Sequence, residues 1–129
     1  MMEGAQSNLE YLSKKYRLVL LTQGKKHIQL TKRKSLNIAD YFYKVLFIDL
    51  EKNEKKEDGF RQIKDWVKPG HHFLSIGNRL STDLVPAKKY QALTCHFKYG
   101  EHADEQVQSQ QEPDFVIFNH KELIVKCNL

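Results

Sequence analysis

The chain has 129 residues and a mass of 15.2 kDa, enough for one ordinary domain and too short for two. Apolar residues make up 40% and aromatics 11%, which supports a packed core and excludes wholesale disorder. No run of 18 apolar residues occurs, which excludes a helical membrane span. The N-terminal segment Met1–Glu10 is polar and lacks the apolar stretch of a signal peptide. With only two cysteines, Cys95 and Cys127, the expectation is a cytoplasmic protein with reduced thiols. The net charge of +5 is local. Residues 11–39 hold eight bases (Lys14, Lys15, Arg17, Lys25, Lys26, Lys32, Arg33, Lys34) and no acid, so the rest carries 13 bases against 16 acids, a balance of −3. Such a block is either a solvated basic face or an attractor of phosphate groups. No aromatic is interleaved with these bases after Tyr16 and no recognition motif is present, which argues against nucleic acid as the partner.

Short apolar runs recur along the chain: Leu18–Leu21, Val45–Ile48, Phe73–Ile76, Ala92–Phe97 and Phe115–Phe118. Each has the length of a strand. Their continuous rather than alternating apolarity predicts burial on both faces, as in a parallel sheet. Helical patterns separate them. Leu9 and Leu12 mark an N-terminal segment, and the stretch Lys25–Lys34 must cross from the first strand to the second. Phe60, Ile63 and Val67 share a face flanked by Trp66, which is expected to cover the core. Pro69 and Gly70 stop that helix. Leu80, Leu84 and Ala87 share a face of the next, where Pro86 is tolerable only in a first turn. A short last helix is expected over residues 120–127, and Glu101–Pro113 is polar and Gln-rich, a disordered stretch by composition. Alternating strands and helices predict an α/β fold with right-handed crossovers.

In such a sheet, ligands bind beyond the carboxyl ends of the strands. After the first run comes Thr22-Gln23-Gly24, a hydroxyl and a glycine that open a helix: an anion site or an ordinary N-cap. After the second comes a charged stretch from Asp49 to Asp58, where a lysine could neutralise a phosphate or simply lie in a solvated loop. After the third comes Gly77-Asn78, with Asp83 five residues beyond Asn78. Those oxygens suit magnesium, and the same spacing would serve a turn with Asp83 stabilised by a helix dipole. His71, His72, His96 and His102 have no metal-ligand spacing, and Cys95 and His96 point to opposite faces of a strand. Neither group is expected to be a metal site or a nucleophile.

Taken together the three segments resemble the haloacid dehalogenase (HAD) superfamily of hydrolases over roughly residues 9–125. Leu20-Leu21-Thr22-Gln23-Gly24 is similar to its second motif. Glu54-Lys55-Lys56-Glu57-Asp58-Gly59-Phe60 is similar to its third, with Lys55 fitting the spacing slightly better than Lys56. Ser75-Ile76-Gly77-Asn78-Arg79-Leu80-Ser81-Thr82-Asp83-Leu84 is similar to its fourth, and Pro86-Ala87-Lys88-Lys89 and Glu112-Pro113-Asp114-Phe115 continue the likeness. The resemblance implies a three-layer α/β/α fold with a mostly parallel Rossmann-like sheet, the chain forming a single partial core domain over residues 1–129. It implies magnesium-dependent hydrolysis of a phosphorylated small molecule. Thr22 and Lys55 would be catalytic, Thr22, Gln23, Gly24 and Lys55 would bind phosphate, and Asn78 and Asp83 would hold Mg2+.

Two positions depart from the family pattern. Asn78 stands where the fourth motif usually has Asp, which keeps an oxygen ligand and loses a charge. The family's first motif, Asp-x-Asp, precedes the second, but Met1–Tyr16 contain no Asp. The expectation is therefore a truncated core without the central first strand, the nucleophile or the cap domain, inactive alone. A second copy or a partner chain could complete the sheet. The alternative is a non-catalytic phosphate- or nucleotide-binding module, or a subunit of a complex.

Overall fold

The structure is a computed structural model that describes residues 4–24, 39–98, 103 and 111–129. The crossover expected over Lys25–Lys34 and most of the polar stretch Glu101–Pro113 lie outside the described residues. The chain divides into two compact units, Met1–Gly59 and Phe60–Leu129.

In the first unit, α1 (Ala5–Ser13) starts from Gly4, whose φ of 83° is open to glycine without strain. Asn8 and Leu12, four apart, are its buried residues and so share one face. The strands β1 (Val19–Gly24) and β2 (Lys44–Asp49) pair in parallel, from Val19 opposite Lys44 to Gly24 opposite Asp49. The first apolar run behaves differently from its expectation: Val19–Leu21 are only half-buried. Among the described residues β1 has a neighbour on one side alone, and an edge strand buries less than a central one. A 3-10 turn precedes β2 (Ala39–Tyr41) and another follows it (Leu50–Lys52). Asn53, left-handed at φ 59°, then turns the chain into α2 (Lys56–Trp66).

Gly59 lies in the first turns of α2, where a Cβ would meet Leu21 Cδ1 at 2.5 Å and Ile48 Cδ1 at 3.4 Å. The glycine thus lets the helix backbone approach the side chains of β1 and β2. Phe60 is the first residue of the second unit. It is buried and stacks on Phe73, with ring centroids 6.4 Å apart. Trp66, the last residue of α2, is 36% exposed, so most of its surface is covered and part of it faces solvent.

The second unit holds a three-stranded parallel sheet in the order β3 (Leu74–Gly77), β4 (Leu93–Phe97), β5 (Phe115–Ile117). Leu74 lies opposite Leu93, Gly77 opposite His96, and Cys95 opposite Phe115. The expectation of two buried faces holds for β4, which is central, with Thr94, Cys95, His96 and Phe97 all buried in succession; it fails for β3 at the sheet's edge, where Ile76 is exposed, and for Phe118 just after β5, also exposed. A π-type turn (Leu80–Leu84) leads into α3 (Val85–Lys88), with Pro86 in its first turn as required. Leu80, Leu84 and Ala87 are buried, as their spacing predicts. The chain ends in a 3-10 turn (His120–Glu122) and α4 (Leu123–Lys126). Asp114 ties β5 to β4: its Oδ2 accepts from Thr94 N at 2.9 Å and Thr94 Oγ1 at 3.2 Å, while Thr94 Oγ1 accepts from Asp114 N at 3.2 Å.

Cys95 and Cys127 are both unbridged and buried. Burial pushes both thiols up, and their mutual hydrogen bond adds to this for Cys95. Raised thiols are poor nucleophiles, so the pair is packed sulfur rather than a reactive centre. Among the described residues, no helix is long and apolar enough to cross a membrane.

Candidate active site

In the first unit, Thr22 lies near the carboxyl end of β1 opposite Phe47. Gln23 and Gly24 do not open a helix, as the sequence suggests. They extend β1 and pair with Ile48 and Asp49, because the ladder to β2 continues to its last residue. Any helix after Gly24 lies outside the described residues. The carboxyl end of β2 is also more ordered than a solvated loop. Asp49 is buried, its carboxylate accepts from Glu51 N at 3.0 Å, and its own N–H donates to Glu54 Oε1 at 2.8 Å. Lys55 immediately precedes α2, and its N–H donates to Asp58 Oδ2 at 2.9 Å. Asp58, at the third helical position, thus reaches back as one half of a capping box. Lys55 is exposed, whereas Lys56, the first helical residue, is half-buried. Since β1 and β2 are parallel, Thr22 and the turn carrying Lys55 share the carboxyl edge of this sheet.

In the second unit, Asn78 follows β3 directly and Asp83 lies in the π-type turn. Several contacts hold that turn on the end of β3. Asp83 N donates to Arg79 O at 2.9 Å, and Arg79 N donates back to Asp83 Oδ2 at 3.2 Å. Ser75 Oγ, on β3 itself, donates to Asp83 O at 2.7 Å. Gly77 is required by proximity: a Cβ there would sit 2.5 Å from Asp83 Oδ2 and 2.7 Å from its Cγ. The Asp83 carboxylate is therefore packed against the backbone at the end of β3, which accounts for Gly77 and Asp83 six residues apart.

One residue of this arrangement is not singled out by sequence. His96 is 1% exposed, and its Nε2 lies 3.1 Å from the Asn78 carbonyl oxygen. A carbonyl only accepts, so Nε2 carries the proton and donates. The missing signal was register: only the pairing of Gly77 with His96 puts the ring beside the loop after β3.

Among the described residues, no group of three or more His, Cys, Asp or Glu is placed to hold a metal ion. Magnesium commonly takes one or two carboxylates and completes its shell with water and substrate phosphate. Asp83 accepts from Arg79 N at 3.2 Å and from Thr82 Oγ1 at 3.4 Å. Asp83 and Asn78 offer oxygens of the type magnesium takes and are too few to form a whole shell.

The α/β architecture, with parallel strands and helices between them, is that of the HAD-like Rossmann-type folds. The chain is similar in structure to YfnB from Bacillus subtilis, assigned as a HAD-hydrolase and solved bound to magnesium (TM-score 0.76, 17% identity, 99% of this chain and 55% of that one). It is similar to a protein from Clostridium difficile assigned as a phosphatase (TM-score 0.80, 23% identity, 95% and 58%). It is similar too to a HAD-like family hydrolase from Xanthomonas campestris (TM-score 0.75, 19% identity, 96% and 52%). In sequence it is 30% identical over 125 residues to the glyceraldehyde 3-phosphate phosphatase of Pyrococcus furiosus, covering 94% of this chain and 52% of that protein. No protein-family model matches the chain. The chain spans about half the length of these relatives. The resemblance to HAD-type structures therefore stands in fold, and the sequence similarity to a phosphatase extends over nearly the whole of this chain.

Proposed function

We propose that the chain supplies the second, third and fourth motifs of a magnesium-dependent HAD-type phosphatase core. One observation supports it most: Thr22, Lys55, Asn78 and Asp83 all lie at or just beyond carboxyl ends of parallel strands, within a stretch that aligns with a phosphatase. In this reading the Thr22 hydroxyl and the Lys55 ammonium stabilise charge developing on a phosphoryl group. Asn78 and Asp83 contribute oxygens to Mg2+, which when bound offsets phosphate charge.

Covalent phosphoryl transfer also needs a carboxylate nucleophile. Asp49 is buried and already bonded to the Glu51 N–H, and Asp83 is taken by the metal in this reading. The 129-residue chain alone is therefore inert in this reading, and a segment with an Asp-x-Asp strand supplies the missing group. The test is hydrolysis of an aryl phosphate with magnesium, by the chain alone and mixed with such a peptide. The expected result is no turnover alone and magnesium-dependent turnover in the mixture, lost in Asp83→Asn. Turnover by the chain alone that disappears in Asp83→Asn would refute the need for an added nucleophile. An inert mixture, with NMR signals of Thr22–Gly24 and Lys55 unmoved by inorganic phosphate, would refute the phosphatase reading.

A further inference from the structure

At the amino ends of β1 and β2, the edge opposite Thr22 and Lys55, the first unit presents a second cluster. Lys15 Nζ lies 5.7 Å from the ring centroids of both Tyr11 and Tyr16. In the next residue, Arg17, the guanidinium lies 5.0 Å from the Tyr43 ring, and Lys44 Nζ lies 5.6 Å from the same ring. Tyr43 N donates to Leu18 O at 2.7 Å, which fixes the turn before β2 against the segment before β1. The three rings nevertheless remain 45%, 41% and 50% exposed, and Lys14, Lys15, Arg17 and Lys44 are all exposed. Glu10 of α1 accepts at Oε1 from Tyr41 Oη at 3.2 Å.

Linear sequence hides this alternation, because Tyr43 lies beyond the basic block of residues 11–39. Folding brings it beside Arg17 and makes a surface on which cations and aromatic rings interleave. Cations at the rings hold them in place, so less side-chain freedom is lost when a ligand stacks there. Alternating phosphate and base is the chemistry such a surface matches: cations track a backbone while rings receive successive bases. A membrane surface fits less well, since an interfacial face needs large apolar side chains and Leu12 of α1 is buried. We infer that this face binds a single-stranded polynucleotide, with phosphates on Lys14, Lys15, Arg17 and Lys44 and bases on Tyr11, Tyr16 and Tyr43.

The test is fluorescence anisotropy of labelled oligo(dT) and oligo(U), about twelve nucleotides long, with the full chain. Four phosphate contacts predict that log Kobs falls with log[salt] at a slope of about −3 or steeper. Tyr43→Ala should weaken binding about 5- to 150-fold, the loss of one stacked base, whereas Tyr43→Phe should stay within about twofold. Circular dichroism establishes that each variant is folded. Results of three kinds would overturn the inference. One is no binding at low salt. Another is binding unchanged in Tyr43→Ala and in Tyr11→Ala/Tyr16→Ala, or equal affinity for inorganic polyphosphate, either of which means attraction by charge alone. The third is tyrosine-dependent binding to anionic vesicles without binding to either oligonucleotide.

Discussion

Gly77 allows a direct test of the turn that holds Asp83. Gly77→Ala adds a Cβ that would lie 2.5 Å from Asp83 Oδ2 and 2.7 Å from Cγ. The obstacle is a side chain pinned by its own backbone, with Asp83 N bonded to Arg79 O and Asp83 O accepting from Ser75 Oγ. It cannot rotate away without moving the turn. Overpacking of this kind costs about 1–3 kcal/mol, and loosening one of the hydrogen bonds adds roughly 1 kcal/mol. The expected destabilisation is therefore about 2–4 kcal/mol, a large part of a typical domain stability of about 5–15 kcal/mol. Urea unfolding followed by Trp66 fluorescence reads it as a midpoint lower by about 1–2 M, for a slope of ~2 kcal/mol/M. Gly59→Ala is the natural contrast. There the nearest atom is Leu21 Cδ1 at 2.5 Å, the free end of a flexible side chain. A helix gain of about 1 kcal/mol opposes a rotamer cost of about 0.5–1.5 kcal/mol, so the change should be near neutral. If Gly77→Ala proves as mild as Gly59→Ala, or costs as much in an Asp83→Gly background as in the native chain, the packing argument fails.

Two further outcomes are expected. Asp114→Ala removes the acceptor of Thr94 N, which is fully buried; a stranded donor costs about 1–3 kcal/mol, and amides of β5 should lose exchange protection before those of β3. Burial holds His120 below its ordinary value of 6.5, so the unfolded chain binds more protons as pH falls through that range. The His120 contribution is thus stabilising above about pH 6.5 and is lost on acidification. His120→Asn should flatten urea midpoints measured between pH 7 and 5, and an unchanged slope would refute this assignment.

The strands and their direction were legible because continuous apolar runs such as Ala92–Phe97 admit few other structures. Periodicity also located the buried stripe Leu80–Leu84–Ala87, and Pro86 fell where its missing N–H does no harm. Spacing alone could not show that Gln23 and Gly24 stay in a ladder, since that depends on the partner strand reaching Asp49. The order in the charged stretch Asp49–Asp58 was hidden for a related reason. Its acids and lysines look solvated one by one, yet Asp49, Glu54 and Asp58 spend their oxygens on backbone N–H groups. His96 was passed over because its partner is a carbonyl 18 residues away, and a main-chain acceptor leaves no trace in residue identity.

The hydrogen bond from His96 to the Asn78 carbonyl also makes the ring an observation post. Its Nε2 proton is buried and engaged, so it should exchange slowly with water and give a resolved downfield NMR signal, distinct from the exposed His71 and His72. Any molecule that displaces the loop after β3 must lengthen or shorten that bond and shift the signal. The imidazole would then report occupancy at Asn78 and Asp83 without a label, a turnover assay or any alteration of the residues that meet the ligand.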